Sequence, residues 1–166
     1  MGGLVNTLIR RSDRVKVACL AQLVNVIAPL MTDAAQVIRQ TIYHPYAWAL
    51  AHCRGQALDL GVQSAVVDGI PNVDVAATFD AAKKEYAVLL LNRDLMAEQE
   101  VTLLFRENTP SRAVSFDTLT GPDLKAANTL ANPKVVQPAT LGLPKTDARM
   151  TVKLPRQSYS LLRLSV

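Results

Sequence analysis

The sequence predicts a mainly β fold, in which an antiparallel two-sheet β-sandwich follows a shorter helix–strand–helix segment. From residue 57 onward, apolar and polar residues alternate with period two in several short runs, as in half-buried strands. Clusters of Gly, Pro, Asn and Asp separate these runs, which is typical of the turns of a sandwich. Before residue 56 the pattern is that of helices around one near-continuous apolar run. We therefore predict two units, residues 1–56 and residues 57–166.

The first unit opens with apolar residues at helical spacing, Leu4, Val5, Leu8 and Ile9. Residues 15–21 form an apolar run rich in β-branched side chains, which predicts a parallel strand buried on both faces. A second helix is predicted over about residues 40–53, and Gly55 suits the left-handed position just past its end. Two helices cannot cover both faces of that strand, so the segment is expected to be a piece of something larger.

The second unit carries seven to nine predicted strands. Each of the clearest runs places its apolar residues on one face, and the last run puts Leu162, Leu164 and Val166 together. The predicted strands lie within residues 73–80, 86–91, 101–106, 150–154 and 158–166. This unit is long enough to bury a core without a disulfide or metal.

Composition argues against several classes of partner. The net charge is +4, but the 18 Lys and Arg are scattered and no aromatic residues interleave with them, so nucleic acid is not expected as a partner. No apolar run is long enough to cross a membrane, and no signal-peptide cleavage site follows the N-terminus. Cys19 and Cys53 are expected to be reduced and largely buried, which fits the cytoplasm.

Catalytic, metal and cofactor chemistry is sparse. His44 and His52 are eight residues apart without a third ligand nearby, and there is no phosphate-binding glycine loop or Gly-x-Ser-x-Gly motif, so no metal or cofactor is expected. Residues 1–56 contain no glutamate. The four glutamates of the second unit are expected to be surface charge, and no catalytic residue is assigned: Glu85, Glu98, Glu100 and Glu107.

Two amides, Gln22 and Asn25, follow the predicted parallel strand and are the candidate substrate-binding residues. In parallel α/β barrels, residues at the C-terminal ends of strands face the active site. Uncharged amides suit the hydroxyl groups of sugars. The alternative is that both side chains bond loop backbone, as Asn often does. The sequence leaves both interpretations open.

Several separated motifs resemble the glycoside hydrolase family 51 α-L-arabinofuranosidases. RVKVACLAQLVNVIAP (residues 14–29) resembles their eighth barrel strand, and RQTIYHPY (39–46) with Arg54 and Gly55 resembles the segment downstream of that strand. The C-terminal domain of that family is matched by four further strings: LNRD (91–94), LTGPDLKAANT (119–129), NP (132–133) and LPRQSYS (154–160). One departure is the segment 33–38, where the family tends to have glycines and a tryptophan.

The resemblance implies a jelly-roll-like sandwich preceded by the end of a (β/α)8 barrel. It also implies a retaining mechanism with two glutamates on earlier barrel strands, so that this chain, beginning after the seventh strand, is inactive alone. A truncated reading frame and an expressed fragment both account for such a start. By the same analogy, Gln22 helps to bind the arabinofuranosyl ring, with Asn25 second.

The full-length protein implied by the resemblance is a cytoplasmic enzyme and a homo-oligomer. It releases terminal α-L-arabinofuranosyl residues from arabinose-containing oligosaccharides, and the missing barrel is the partner of this chain. The alternative is a free-standing, non-catalytic β-sandwich for binding or assembly. An exposed row of aromatic residues would favour a carbohydrate-binding module, but the single tryptophan, Trp48, falls on the predicted helix rather than in the sandwich.

Overall fold

The computed structural model describes residues 1–166, and they form two helices and twelve strands. The helices are α1 (Gly2–Arg10) and α2 (Tyr43–His52). The strands are β1 (Leu30–Thr32), β2 (Val37–Arg39), β3 (Gln56–Ala57), β4 (Val66–Val67), β5 (Ile70–Pro71), β6 (Val73–Asp80), β7 (Glu85–Asn92), β8 (Gln99–Leu104), β9 (Arg112–Leu119), β10 (Pro138–Thr140), β11 (Arg149–Leu154) and β12 (Ser158–Ser165).

The main sheet has six antiparallel strands in the order β10-β9-β12-β7-β6-β3. Strand β12 lies at its centre and pairs along its length with β7 and β9. A second, two-stranded antiparallel sheet is formed by β8 and β11. Two short antiparallel pairs, β1 with β2 and β4 with β5, lie outside these sheets.

The core of the sandwich lies between the two sheets. Alternate residues of β6, β7 and β12 point into it, among them Val75, Val88 and Leu162, and β11 contributes Met150 and Val152 from the facing sheet. These side chains are almost completely buried. The predicted antiparallel two-sheet sandwich is therefore confirmed, as is the shared face of Leu162, Leu164 and Val166.

The opposite face of the main sheet is covered by the two helices. Val5 of α1 packs with Leu89, Leu161 and Tyr159 in a second, smaller apolar cluster. Trp48 of α2 stacks on the ring of Tyr159, with centroids 6.1 Å apart and planes within 13°. The two helices predicted for residues 1–56 are thus present, and they serve as the outer cover of the sandwich.

Polar contacts tie α1 to the sheet. The Asp74 carboxylate of β6 accepts hydrogen bonds from Arg10 (2.6 Å) and Arg93 (3.3 Å). Asn6 is completely buried, donates to the carbonyl and carboxylate of Asp74 at 3.4 Å, and accepts from the Tyr159 hydroxyl at 2.9 Å. A carboxylate held between two arginines and a buried amide fixes the helix against the strand.

The predicted strand at residues 15–21 is wrong. This segment is extended but belongs to no sheet, and Val17 is 80% exposed. The physical reason is that a strand exists only through hydrogen bonds to a neighbour, and no strand of this chain lies beside residues 15–21. An isolated parallel bridge joins Val24, which lies beyond this segment, to Leu30.

The remaining structural predictions for residues 1–57 had different outcomes. The second helix runs over Tyr43–His52, inside the predicted range, and Gly55 has the expected left-handed φ of 77°. Cys19 is exposed, so its predicted burial is wrong, again because the run that contains it lacks covering strands. Cys53 is half-buried, and burial raises its pKa to about 11. The boundary at residues 56 and 57 stays a prediction, since β3 spans it.

Candidate functional site

Gln22 and Asn25 lie in an irregular loop between α1 and β1. We call residues 22–29 the candidate loop. Three of its residues have left-handed backbone conformations, with φ of 57° at Gln22, 62° at Asn25 and 55° at Val26. Non-glycine residues adopt this region at a cost, and for a β-branched residue such as Val26 it is rare. The loop is therefore a specific, strained turn.

Asn25 uses part of its side chain to build that turn. Its Oδ1 accepts a hydrogen bond from the backbone N–H of Thr32 at 2.8 Å. Its own backbone N–H donates to the carbonyl of Leu30 (2.8 Å), and its carbonyl accepts from Ala28 N–H (2.9 Å). The alternative interpretation, an Asn that bonds loop backbone, thus describes the oxygen of Asn25, while its Nδ2 makes no hydrogen bond within the chain.

Gln22 is exposed, and its side-chain amide makes no hydrogen bond within the chain. Both its donor and its acceptor are therefore free for a polar ligand. The bridge at Val24 fixes the chain between the two candidate residues against the start of β1.

Two neighbouring elements hold the candidate loop. Gln40, just after β2, donates its backbone N–H to the carbonyl of Pro29 at 2.8 Å. Upstream of the loop, the Tyr46 hydroxyl of α2 donates to the carbonyl of Ala18 at 3.2 Å. The hairpin of β1 and β2 and the helix α2 therefore set where Gln22 and Asn25 lie.

A cleft of about 590 Å³ opens between β2, α2 and the segment that joins β9 to β10. Its walls combine aromatic residues with cations and amides, and they contain no carboxylate: Val37, Ile38, Arg39, Tyr43, His44, Ala47, Trp48, Asn128, Pro133, Lys134, Gln137 and Pro138. The guanidinium of Arg39 lies 5.0 Å from the centre of the Tyr43 ring. Such a mixture suits polar ligands that are either uncharged or anionic.

His44 is the buried titratable residue of this cleft, and only 8% of it is exposed. Its ring packs edge-on to Tyr43, with centroids 5.4 Å apart. Burial lowers the pKa of His44 below its usual value of 6.5, and the nearby charge of Arg39 lowers it further. The imidazole is therefore neutral at pH 7.

The glutamates are spread over the sandwich and form no pair. Glu98 is exposed and lies 3.7 Å from Lys153, and Glu100 and Glu107 are exposed as predicted. Glu85 differs, because it is only partly exposed and its carboxylate lies 2.6 Å from Arg163. No group of three or more His, Cys, Asp or Glu could hold a metal ion. No helix is long and apolar enough to cross a membrane.

Asn128 is a site residue that the sequence reasoning missed. It lies between β9 and β10, is 2% exposed, and donates a hydrogen bond to the carbonyl of Arg39 in β2 at 2.8 Å. An asparagine in a loop rich in Gly and Pro is usually a turn residue, so its type gave no sign of burial. The string LTGPDLKAANT that contains it carries the family resemblance and no local sign of a buried contact.

Comparison with known proteins finds related sequences over most of the chain. Residues 1–158 match the family model described as the alpha-L-arabinofuranosidase C-terminal domain. Over 135 residues the chain is 34% identical to intracellular exo-alpha-(1->5)-L-arabinofuranosidase 1 of Bacillus subtilis, covering 77% of this chain and 27% of that protein. It is 36% identical over 135 residues to the corresponding intracellular enzyme of Streptomyces lividans, covering 78% of this chain and 20% of that protein.

Solved structures show the same architecture. A family 51 α-L-arabinofuranosidase of Bifidobacterium longum superposes with a TM-score of 0.90 at 30% identity, over 98% of this chain and 33% of that one. The α-L-arabinofuranosidase of Thermotoga maritima in its arabinose complex shares the fold, with a TM-score of 0.87 at 23% identity, over 99% of this chain and 38% of that one.

The matched region of this chain spans only 27% and 20% of the lengths of the Bacillus subtilis and Streptomyces lividans relatives. The family match begins at the first residue and ends at Ser158, where β12 starts, so that it includes the candidate loop and most of the sandwich. The chain belongs to the α-L-arabinofuranosidase C-terminal domain family.

Proposed function

We propose that this chain is the C-terminal part of a retaining α-L-arabinofuranosidase. The whole enzyme releases terminal non-reducing α-L-arabinofuranosyl residues from arabinose-containing oligosaccharides. The observation that carries the proposal is the family match across residues 1–158, which includes an exposed Gln22 whose amide has no partner in the chain. The relatives from Bacillus subtilis and Streptomyces lividans are exo-acting arabinofuranosidases.

In this proposal the residues of the chain bind and orient the sugar, and carboxylates outside it perform the chemistry. Retaining glycosidases need an acid and a nucleophile on the two sides of the scissile bond. The glutamates here are exposed or paired with cations, which does not suit either role. Gln22 donates to and accepts from ring hydroxyls, and the free Nδ2 of Asn25, three residues further along the loop, is a second donor.

The partners of the chain follow from the same proposal. A barrel supplied by the rest of the enzyme covers residues 15–29, whose apolar side chains Val17, Leu23 and Val26 are strongly exposed here. The full-length enzyme is a homo-oligomer of the cytoplasm, and the two relatives above are named intracellular.

The test is a hybrid enzyme in which this 166-residue chain replaces the matching C-terminal part of the Bacillus subtilis relative. The hybrid should hydrolyse an aryl α-L-arabinofuranoside, whereas the 166-residue chain alone should not. In the hybrid, Gln22→Ala removes a neutral hydrogen bond to sugar and should lower kcat/KM roughly two- to tenfold. Gln63→Ala, at an exposed amide without hydrogen bonds, is the matched control.

Two results would contradict the proposal. One is a folded hybrid without activity, and the other is a Gln22→Ala hybrid as active as the Gln63→Ala control. Activity of the chain alone that disappears in Glu85→Gln, Glu98→Gln, Glu100→Gln or Glu107→Gln would show that a catalytic glutamate lies within it.

The aromatic and cationic walls of the 590 Å³ cleft favour a second candidate function, a non-catalytic β-sandwich module for binding or assembly. A module of this kind binds its ligand in the cleft and needs no barrel. Saturable binding of an oligosaccharide that is lost in Trp48→Ala and unchanged in Gln22→Ala would favour this alternative.

A further inference from the structure

We infer that Asn128, a residue of the sandwich, is a positioning residue for the candidate loop: it holds the β1–β2 hairpin, which in turn holds Asn25 and Gln22. The inference rests on the proposed role of these two amides in sugar binding. It assigns to the sandwich a part in shaping the sugar site.

The first link is the hydrogen bonding of Asn128 itself. Its Oδ1 accepts from the backbone N–H of Val136 at 2.8 Å, and its Nδ2 donates to the carbonyl of Val136 at 2.9 Å. These two bonds fix the side chain within the segment between β9 and β10. The same Nδ2 donates its other hydrogen to the carbonyl of Arg39 at 2.8 Å. Both donors and the acceptor of a buried amide are thus satisfied, which makes the contact rigid.

The second link crosses the hairpin. Arg39 of β2 is the register partner of Leu30 in β1. The carbonyl of Leu30 accepts from the backbone N–H of Asn25 at 2.8 Å, and Leu30 also bridges to Val24. Two residues further along β1, Thr32 donates its N–H to Oδ1 of Asn25. The path from Asn128 to the candidate loop therefore consists of hydrogen bonds and one strand pair.

The candidate loop needs such support because of its conformation. Left-handed φ angles are unfavourable at Gln22 and most of all at the β-branched Val26, whereas Asn25 tolerates its own more easily; the first two persist only when surrounding contacts hold them. The hairpin has only three residue pairs, too few to be stable alone. Its other polar contact with the sandwich is weaker: exposed Gln36 donates to the carbonyl of Leu130 at 3.2 Å. Asn128 is the buried anchor.

Asn128→Asp in the 166-residue chain tests this link. The isosteric change replaces the donor that faces two carbonyl oxygens with an acceptor, while Oδ1 still accepts from Val136. Hydrogen exchange followed by NMR should become about tenfold faster or more at the backbone amides of Asn25 and Thr32. Leu89 and Leu162 of the sandwich should exchange as before. The matched control is Asn132→Asp, the same change in the same segment at an exposed side chain without hydrogen bonds.

A second readout separates positioning from support of the fold. L-arabinose is titrated while the side-chain amide signal of Gln22 is followed. In Asn128→Asp, the L-arabinose concentration that half-saturates the shift of this signal should be at least threefold higher. The hydrogen-exchange rates of Leu89 and Leu162 should stay unchanged. If the Asp variant unfolds, Asn128→Ser, which adds no charge, is measured in its place.

The outcomes distinguish the two claims. Unchanged exchange at Asn25 and Thr32 in a folded Asn128 variant overturns the inference, as does an equal effect of Asn132→Asp. A Gln22→Ala hybrid enzyme that is as active as the Gln63→Ala control contradicts the proposed sugar site. In that case the exchange measurement still decides whether Asn128 holds the loop.

Discussion

Strand β12, at the centre of the main sheet, and the segment of residues 15–29 are both rich in apolar residues, but β12 is mostly buried and the segment is mostly exposed. Leu162 of β12 is completely buried, whereas Val17 and Val26 are 80% and 85% exposed. Strand β12 has a hydrogen-bonded neighbour on each side, and residues 15–21 have none. Apolar composition therefore determines which residues are able to form a buried strand, while a partner strand decides whether the strand forms.

The largest expected effect is loss of core packing. Leu162→Ala should lower the free energy of unfolding by about 2–5 kcal/mol, because it leaves a cavity between the two sheets. Val17→Ala, in the exposed segment, should change it by less than about 0.5 kcal/mol. Chemical denaturation of both variants measures the difference. Equal effects would mean that residues 15–21 are packed in solution.

Removal of residues 1–56 should have a smaller effect. The sandwich keeps its inner core, but the face that carries Leu89, Tyr159 and Leu161 loses its cover by α1 and α2. We expect residues 57–166 to fold with roughly 2–3 kcal/mol less stability, the value of about one large apolar side chain, and to self-associate through that face. Thermal unfolding and light scattering against residues 1–166 are the measurements.

The opposite result of this truncation would have a different structural meaning. If residues 57–166 are more soluble and equally stable, the predicted boundary at 56 and 57 separates two independent units, and the exposed run 15–29 is the source of self-association. That outcome would mean the helices add little to the sheet that they cover.

The Asp74 cluster should contribute less than a core side chain. Asp74→Asn removes the carboxylate that faces Arg10 and Arg93, and we expect a loss of about 1–3 kcal/mol because both guanidinium groups are only about one-third exposed. Glu98→Gln, which disrupts the exposed pair with Lys153, should cost less than about 0.5 kcal/mol. Urea unfolding of the two variants compares them, and equal losses would show that α1 is held by apolar contacts alone.

The smallest expected effect is a pH dependence that comes from His44. Since burial lowers its pKa in the folded chain, the unfolded chain binds more protons once the pH falls below about 6.5, and the stability decreases as the pH falls through that window. His44→Gln should flatten the change in unfolding free energy between pH 7.5 and pH 5. His52, whose pKa burial also lowers, accounts for a further part of the slope. An unchanged slope in His44→Gln would contradict the assignment.

Much of the sandwich could be predicted because several of its strands alternate regularly between more and less exposed residues, as in β8 and β11. Strand β9 was missed because its register against β12 shifts, leaving Val114 as an extra residue. Its core residues Ala113 and Phe116 are consequently three apart rather than two or four, which hides the period. The hairpin of β4 and β5 did have a signal, the pair Asp68-Gly69, and both residues have positive φ.

The candidate loop was predictable only in part. The position of Gln22 and Asn25 after an apolar run pointed to one segment, but the run is not a strand here, and the left-handed turn has no glycine to mark it. Asn128 could not be found from local pattern, because its partner Arg39 lies 89 residues away. Contacts of that separation are set by the fold and leave no periodic trace in the sequence.

The central place of β12 has a consequence for biosynthesis. The ribosome makes β7 and β9 before β12, and these two strands join one sheet only when β12 pairs with both of them. The edges of β7 and β9 that face β12 therefore stay unpaired while about forty residues between β9 and β12 are synthesised. This takes roughly 2–8 s at ordinary rates of synthesis. During that time open edges are templates for mispairing. A chain whose synthesis stops before Ser158 lacks the strand that joins the two halves of the main sheet, so the facing edges of β7 and β9 stay unpaired.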